Sequence, residues 1–295
     1  MRPLRVGIVS RTATYWPFYL AEHAGLFARH GLEIALVELG STSAGVPALR
    51  DGWVDVAGTC PDAIVEAVGR GEDVRVGGGL ADLPLGVLVA APRIADLTGL
   101  RGARVAFTEA RGSVSLFLRA ALRARGLQPG DYEAVVRGTT PAQAEALRSG
   151  DVDAAMLTPP FDSRLVALGF RRLARVGTVL GRCAFTTLNV RRGWTAGAEW
   201  SRLGAALAEA GALLRAPEGR ERAIAALAAA TGFADDELDS AYRSLVVEDD
   251  AFATGVQLAP ATLGNLLRLM REDGLDVPSD DPATYLDESA GPQLP

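Results

Sequence analysis

Along this chain the hydrophobic pattern switches repeatedly between short apolar runs and helical spacing. Residues 4–10 form an apolar run closed by a polar loop and predict a buried strand. Residues 18–30 place Leu20, Ala21, Ala24 and Phe27 on one face, with Pro17 before them and Gly31 after, and predict one helix. Residues 32–39 alternate into a strand, the hydroxyl cluster Ser41-Thr42-Ser43 then starts a helix, and short apolar runs follow at 54–58, 74–79 and 85–91. The same succession begins again at residue 103: a strand at 104–107, a polar loop, a helix from Ser113 stopped by Gly126, a strand at 133–137, a helix started by Thr140, and a strand at 152–157. Beyond Trp194 the character changes. Residues 199–275 are rich in Ala and Leu at helical spacing, and breaks at Pro217, Gly232 and Pro260 divide them into about four helices.

A repeated phrase ties the two successions together. Residues 48–55 read A-L-R-D-G-W-V-D and residues 146–153 read A-L-R-S-G-D-V-D, an offset of 98 residues. Extended to Thr59 and Leu157, seven of twelve positions match. Each copy runs from a helix through a glycine (Gly52, Gly150) into an apolar strand. A loop with a hydroxyl and a proline follows: Thr59-Cys60-Pro61-Asp62 in one case, Thr158-Pro159-Pro160-Phe161 in the other. Two such units predict two similar α/β lobes. Loops after the carboxyl ends of strands are where open α/β sheets hold ligands, so a ligand between lobes is expected.

Composition narrows the function. The 295 residues contain 48% hydrophobic and 22% charged side chains, as in an ordered globular protein. A net charge of −6 and the lack of a basic block speak against nucleic-acid binding. All 30 cationic residues are arginine, which rules out a lysine Schiff base and a lysine-anchored pyridoxal phosphate. No cofactor and no metal are expected: the two cysteines, Cys60 and Cys183, and two histidines, His23 and His30, show no zinc spacing. A Cys60–Cys183 disulfide stays open, with buried, unbonded thiols the favoured reading. The sequence runs from Met1 directly into the first strand with no charged, apolar and cleavage regions ahead of it. The expectation is a protein without direct membrane insertion, cytoplasmic as given and extracytoplasmic if it is a trimmed mature form.

Three phrases carry a family resemblance. They are Tyr19-Leu20-Ala21-Glu22-His23-Ala24-Gly25-Leu26-Phe27 with His30-Gly31-Leu32-Glu33, the first copy of the repeat at 48–55, and Asp96-Leu97-Thr98-Gly99-Leu100-Arg101-Gly102. In this order the chain resembles the type 2 periplasmic-binding-protein fold over residues 4–275. The group most resembled holds the nitrate, sulfonate and taurine binding proteins and the thiamine-pyrimidine-precursor proteins. The resemblance implies an α/β, two-lobed fold with a helical C-terminal extension on the first lobe. Lobe 1 is expected over residues 1–90 and 184–295, lobe 2 over 91–183.

It also implies where ligand loops fall. In lobe 1 they hold Arg11, Thr12, Thr14, Tyr15 and Trp16, then Ser41 and Thr42, then Thr59, Cys60 and Asp62. In lobe 2 they hold Thr108, Glu109, Arg111 and Ser113, then Thr158 and Phe161. Hydroxyls and a helix N-terminus suit a small polar or anionic ligand, arginines add charge-assisted bonds, and Tyr15 and Trp16 offer faces to a heteroaromatic ring. Each has a plainer reading. Ser113 and Asp62 serve as helix caps, Tyr15 and Trp16 as packing over the first helix, and Arg111 as a solvated charge. Asp55 and Asp153, which recur in the repeat, and both histidines are read as structural.

The implied function is a solute-binding protein that closes on a small organic ligand and presents it to a membrane permease, as in an ABC importer. The alternatives are a cytoplasmic enzyme of dehydratase or decarboxylase type on the same fold, with Glu109, Asp62 or Glu38 as acid–base groups, or a ligand sensor. A pyridoxal-dependent pyrimidine synthase is excluded by the missing lysine. Catalysis by Cys60 finds no histidine placed to activate it.

Overall fold

The computed structural model describes residues 2–110 and 112–290, without the side chains of Ser113 and Ala290. The first succession forms β1 (Leu4–Ile8), α1 (Trp16–His23), α2 (Leu26–Arg29), β2 (Ile34–Glu38), α3 (Gly45–Arg50), β3 (Val56–Thr59), α4 (Asp62–Gly69) and β4 (Val74–Ala81). The single helix expected over 18–30 is two: Gly25, at φ +69°, turns the chain between them, a conformation a side chain resists.

The second succession forms β5 (Val87–Ala90), β6 (Arg104–Phe107), α5 (Ser113–Arg123), β7 (Glu133–Val136), α6 (Thr140–Ser149), β8 (Ala154–Leu157), α7 (Phe161–Ala167) and β9 (Arg171–Arg175). The chain then passes through α8 (Val176–Leu180) to β10 (Thr186–Arg191) and the helices α9 (Ala198–Arg215), α10 (Arg220–Thr231), α11 (Asp235–Tyr242) and α12 (Pro260–Glu272). A π-helical turn, Arg243–Glu248, continues α11. Among the described residues no helix is long and apolar enough to cross a membrane.

Two five-stranded sheets result, ordered β2-β1-β3-β10-β4 and β7-β6-β8-β5-β9. The orders are equivalent strand for strand, and in each the fourth strand is the antiparallel one that arrives from the other lobe. This corrects the expected lobe boundary. Residues 87–90, assigned from sequence to lobe 1, pair with β8 and β9 of lobe 2. The apolar run of β5 reveals a strand but not its sheet, because its partners lie far along the chain. The chain therefore crosses between lobes at Asp82–Gly86 and again between β9 and β10. The crossings lie side by side: Val176 N–H donates to Gly86 O at 2.8 Å and Cys183 N–H to Asp82 O at 2.7 Å. A Cβ on Gly177 would sit 2.8 Å from Pro84 O, so a side chain there collides with the other crossing.

The C-terminal helices pack on lobe 1 as expected. Trp16, wholly buried, donates its Nε1–H to Ala223 O of α10 at 2.7 Å and meets Tyr242 edge-on. The same helices also hold lobe 2. Asp273, just after α12, accepts from Arg119 and Arg123 of α5. Arg164 of α7 pairs with Glu237 of α11, and Arg175 with Glu248 and Asp249 at the end of the π turn.

Candidate functional site

The carboxyl ends of the two sheets face each other. One backbone bond spans the gap, Ala13 N–H to Pro159 O at 3.0 Å, so the lobes are closed. Behind it lies a cavity of about 50 Å³. Lobe 1 contributes Ser10, Thr12, Thr14, Tyr15, Thr42, Thr59 and Cys60 to its wall, and lobe 2 contributes Thr108, Val114, Thr139, Thr140 and Thr158. Thr186 and Phe185 close it from the second crossing. Among the described lining residues ten carry a Ser or Thr hydroxyl and none a formal charge. Thr139 and Thr140 start α6, and Val114 lies in the first turn of α5, so two helix N-termini add partial positive charge to the wall.

Thr42 and Thr108 continue through a narrow neck to an outer cleft of about 540 Å³. Asp62, Glu66, Glu109, Arg70 and Asp276 line this outer space. Asp62 and Glu109 converge from opposite lobes at Gly112, where a Cβ would lie 3.8 and 3.5 Å from their respective carboxylate oxygens.

The structure brings Thr12, Thr14, Tyr15, Thr42, Thr59, Cys60, Thr108 and Thr158 together in the inner wall. Tyr15 is there as a strut: its hydroxyl accepts from Val9 N–H at 2.9 Å and donates to Gly58 O at 2.7 Å, and burial pushes its ionisation far up. Asp62 and Glu109 sit in the outer cleft. Four residues are placed elsewhere. Arg11 pairs with Glu38 at 3.0 Å on the surface. Trp16 is core. Ser41 accepts from Ala44 N–H at 3.2 Å as a turn-forming hydroxyl. Phe161 meets Phe233 edge-on, ring centroids 4.8 Å apart, which ties lobe 2 to the C-terminal helices. Arg11, Trp16 and Phe161 spend their polar group or ring on a neighbour that sequence distance conceals, and Ser41 spends its hydroxyl on its own turn. Arg111 and the side chain of Ser113 lie outside the described residues.

Sequence reasoning left Val9, Val114, Thr139, Thr140, Phe185 and Thr186 out of the site, while Ser10 opens the first ligand loop it expected. For two of them a signal existed. The 98-residue offset of the repeat carries Ser41-Thr42 onto Thr139-Thr140, just as it carries Cys60 onto Thr158. Nothing local marks Phe185 and Thr186, which reach the cavity only because the chain returns between lobes.

Neither cysteine is in a disulfide, and both are buried. Burial pushes the Cys183 thiol up to about 12. His30 bonds Glu209 at 2.7 Å, away from the cavity. Among the described residues no three His, Cys, Asp or Glu side chains are grouped to hold a metal. Of the three acid–base candidates, Glu38 is engaged with Arg11, while Asp62 and Glu109 lie outside the inner cavity.

Solved structures share this architecture. The periplasmic aliphatic sulphonate binding protein of Escherichia coli is 26% identical, with a TM-score of 0.74 over 98% of this chain and 99% of that one. The ligand-binding component of an ABC-type import system from Staphylococcus aureus, solved with zinc bound, gives a TM-score of 0.79 at 14% identity, over 98% of each chain. The periplasmic nitrate-binding protein of Synechocystis gives 0.77 at 14% identity, over 97% of this chain and 86% of that one. No curated protein sequence matches the chain. A family model described as NMT1/THI5 like matches residues 12–162, just over half of the 295 residues. With two equivalent lobes closed over one hydroxyl-lined cavity, and with that match, the chain belongs to the NMT1/THI5-like family.

Proposed function

We propose that this protein is a solute-binding protein that closes its two lobes on a small organic molecule, as the substrate-binding component of an ABC importer does. The observation that carries this reading is the inner cavity, whose wall is assembled from both lobes and the second crossing. Neither lobe alone encloses a ligand there, so binding and closure are linked. The closed cavity takes only a compact group; the rest of a larger molecule extends through the neck into the outer cleft. A sulphonate-binding protein and an import-system component with the same fold support the reading and suggest a membrane permease as partner.

The test is a thermal-shift and calorimetric screen of small metabolites, with small-angle scattering of the hits. A ligand at a hundred times its Kd stabilises by about 2.7 kcal/mol and raises the midpoint by several degrees. The expected hits shrink the radius of gyration and lose affinity when Thr140 is replaced by a bulky residue. A screen without a stabiliser, or hits indifferent to Thr140→Phe, would remove the reading.

A further inference from the structure

Two cavity threonines, one from each lobe, are backed by a buried carboxamide. Thr108 follows β6 directly, and its Oγ1 accepts from Gln143 Nε2 at 3.0 Å. Thr59 ends β3, and its Oγ1 accepts from Asn189 Nδ2 at 3.0 Å. Gln143, on α6, is 2% exposed and Asn189, on β10, is 0% exposed.

The orientation of both amides is fixed by backbone carbonyls, which only accept. Gln143 Nε2 also donates to Gly138 O at 2.7 Å. Asn189 Nδ2 also donates to Thr59 O at 3.2 Å, while its Oδ1 accepts from Thr187 Oγ1 at 2.7 Å. An amide NH2 cannot accept a hydrogen bond. Each threonine oxygen therefore spends a lone pair on the amide and turns its hydrogen elsewhere. Neither hydroxyl donates to a described protein group.

From this we infer that Gln143 and Asn189 are positioning residues that keep the hydroxyl hydrogens of Thr108 and Thr59 free for the cavity, so that it receives a hydrogen-bond acceptor, a carbonyl or oxyanion oxygen. The inference rests on the solute-binding reading of the same cavity. The helix N-termini at α5 and α6 have the matching polarity. An ammonium group in this place would meet the positive ends of both helices and leave both hydroxyl hydrogens without an acceptor. The acceptor group is compact, because the closed space is about 50 Å³.

Titration calorimetry at constant ionic strength tests this with methanesulfonate, acetate and nitrate as acceptor probes and methylammonium as the donor-only probe. At least one acceptor binds and methylammonium does not. Thr108→Val and Gln143→Met each weaken that acceptor about tenfold, and the double variant also about tenfold, because Gln143 acts only through the hydroxyl that Thr108→Val already removes. Thr108→Ser keeps the affinity within about threefold, since the hydroxyl remains. Binding of methylammonium with affinity unchanged in Gln143→Met overturns the inference, and so does an additive loss of about a hundredfold in the double variant. If Gln143→Met fails to fold, Thr59→Ser against Thr59→Val reads the same effect from lobe 1, and equal affinities overturn it. No heat from any of the four probes or from the wider metabolite set removes the solute-binding reading itself, a failure distinct from binding with the wrong polarity.

Discussion

Asp153 accepts the backbone N–H of Arg104 at 2.8 Å, where β6 begins. Its counterpart Asp55 accepts the N–H of Arg5 at 3.0 Å, where β1 begins. Each carboxylate also holds two guanidinium groups, from Arg93 and Arg104 in one lobe and Arg2 and Arg5 in the other. The repeated aspartates are fasteners between adjacent parallel strands, on the side of each sheet away from the ligand.

This gives a stability prediction with a pH dependence. Burial pushes the Asp153 carboxyl up, but bonds from the Arg104 side chain and backbone and from Arg93 outweigh it and hold the pKa at about 2, below the ordinary 3.8. The folded value is depressed, so the stabilisation is complete above about pH 4 and is lost as pH falls towards 2. Asp153→Ala is expected to lower stability by about 1–3 kcal/mol at pH 7 and to flatten the acid limb of the stability curve. Urea titrations from pH 7 to pH 2 check both. An acid limb identical to that of the unaltered protein contradicts the assignment.

Lobe closure is reinforced from outside the cavity. The Asp273 side chain is 5% exposed and ties α12 to α5 through Arg119 and Arg123, which keep some contact with solvent. Removing one partner of a fully buried pair costs about 3–5 kcal/mol, and here about 2 kcal/mol is expected. Asp273→Ala should also enlarge the ligand-free radius of gyration and weaken ligand binding. Scattering curves that superimpose on those of the unaltered protein would show that closure is independent of this tie.

The two thiols differ in reactivity. Cys60 lines the ligand cavity, whereas the thiol of Cys183 is held at about 12 by burial. At pH 8 its thiolate fraction is about one in ten thousand. Alkylation under native conditions should give a single adduct at Cys60, slowed by saturating ligand, as read by peptide mass spectrometry. Faster labelling of Cys183 would contradict this order.

Trp53 is 71% exposed, and the repeat puts Asp151 in its place in lobe 2. The turn does not need the indole. Trp53→Asp should change stability by no more than about 0.5 kcal/mol and leave ligand affinity as it was. A larger loss in denaturant titration would give the side chain a structural part in the turn.

Two lobes, the strands β1 to β8 and about half of the inner wall were legible because they follow from local pattern plus one repeat, whereas β9 and β10 were not anticipated. Thr59 ends a strand, and Thr42, Thr108 and Thr158 occupy loops directly after strands or before helices, where position in the unit determines the site. What sequence concealed depends on contacts across the chain. Trp16 satisfies its N–H on Ala223, about two hundred residues away, so its predicted exposure to ligand gave way to core packing. The sheet that β5 joins depends on β8 and β9, and the donor character of Thr59 on Asn189 of the returning strand. None of these partners leaves a mark on the local spacing of polar and apolar residues.

The adjoining crossings set how such a molecule reports its state. Two strands of chain bonded to one another, with Gly177 seated against Pro84, form a paired connection between the lobes. On the solute-binding reading, a group occupying a few tens of cubic ångströms sets the angle between the lobes, and that angle positions the whole outer surface of each. A partner spanning both lobes can distinguish loaded from empty by the angle alone, without meeting the ligand.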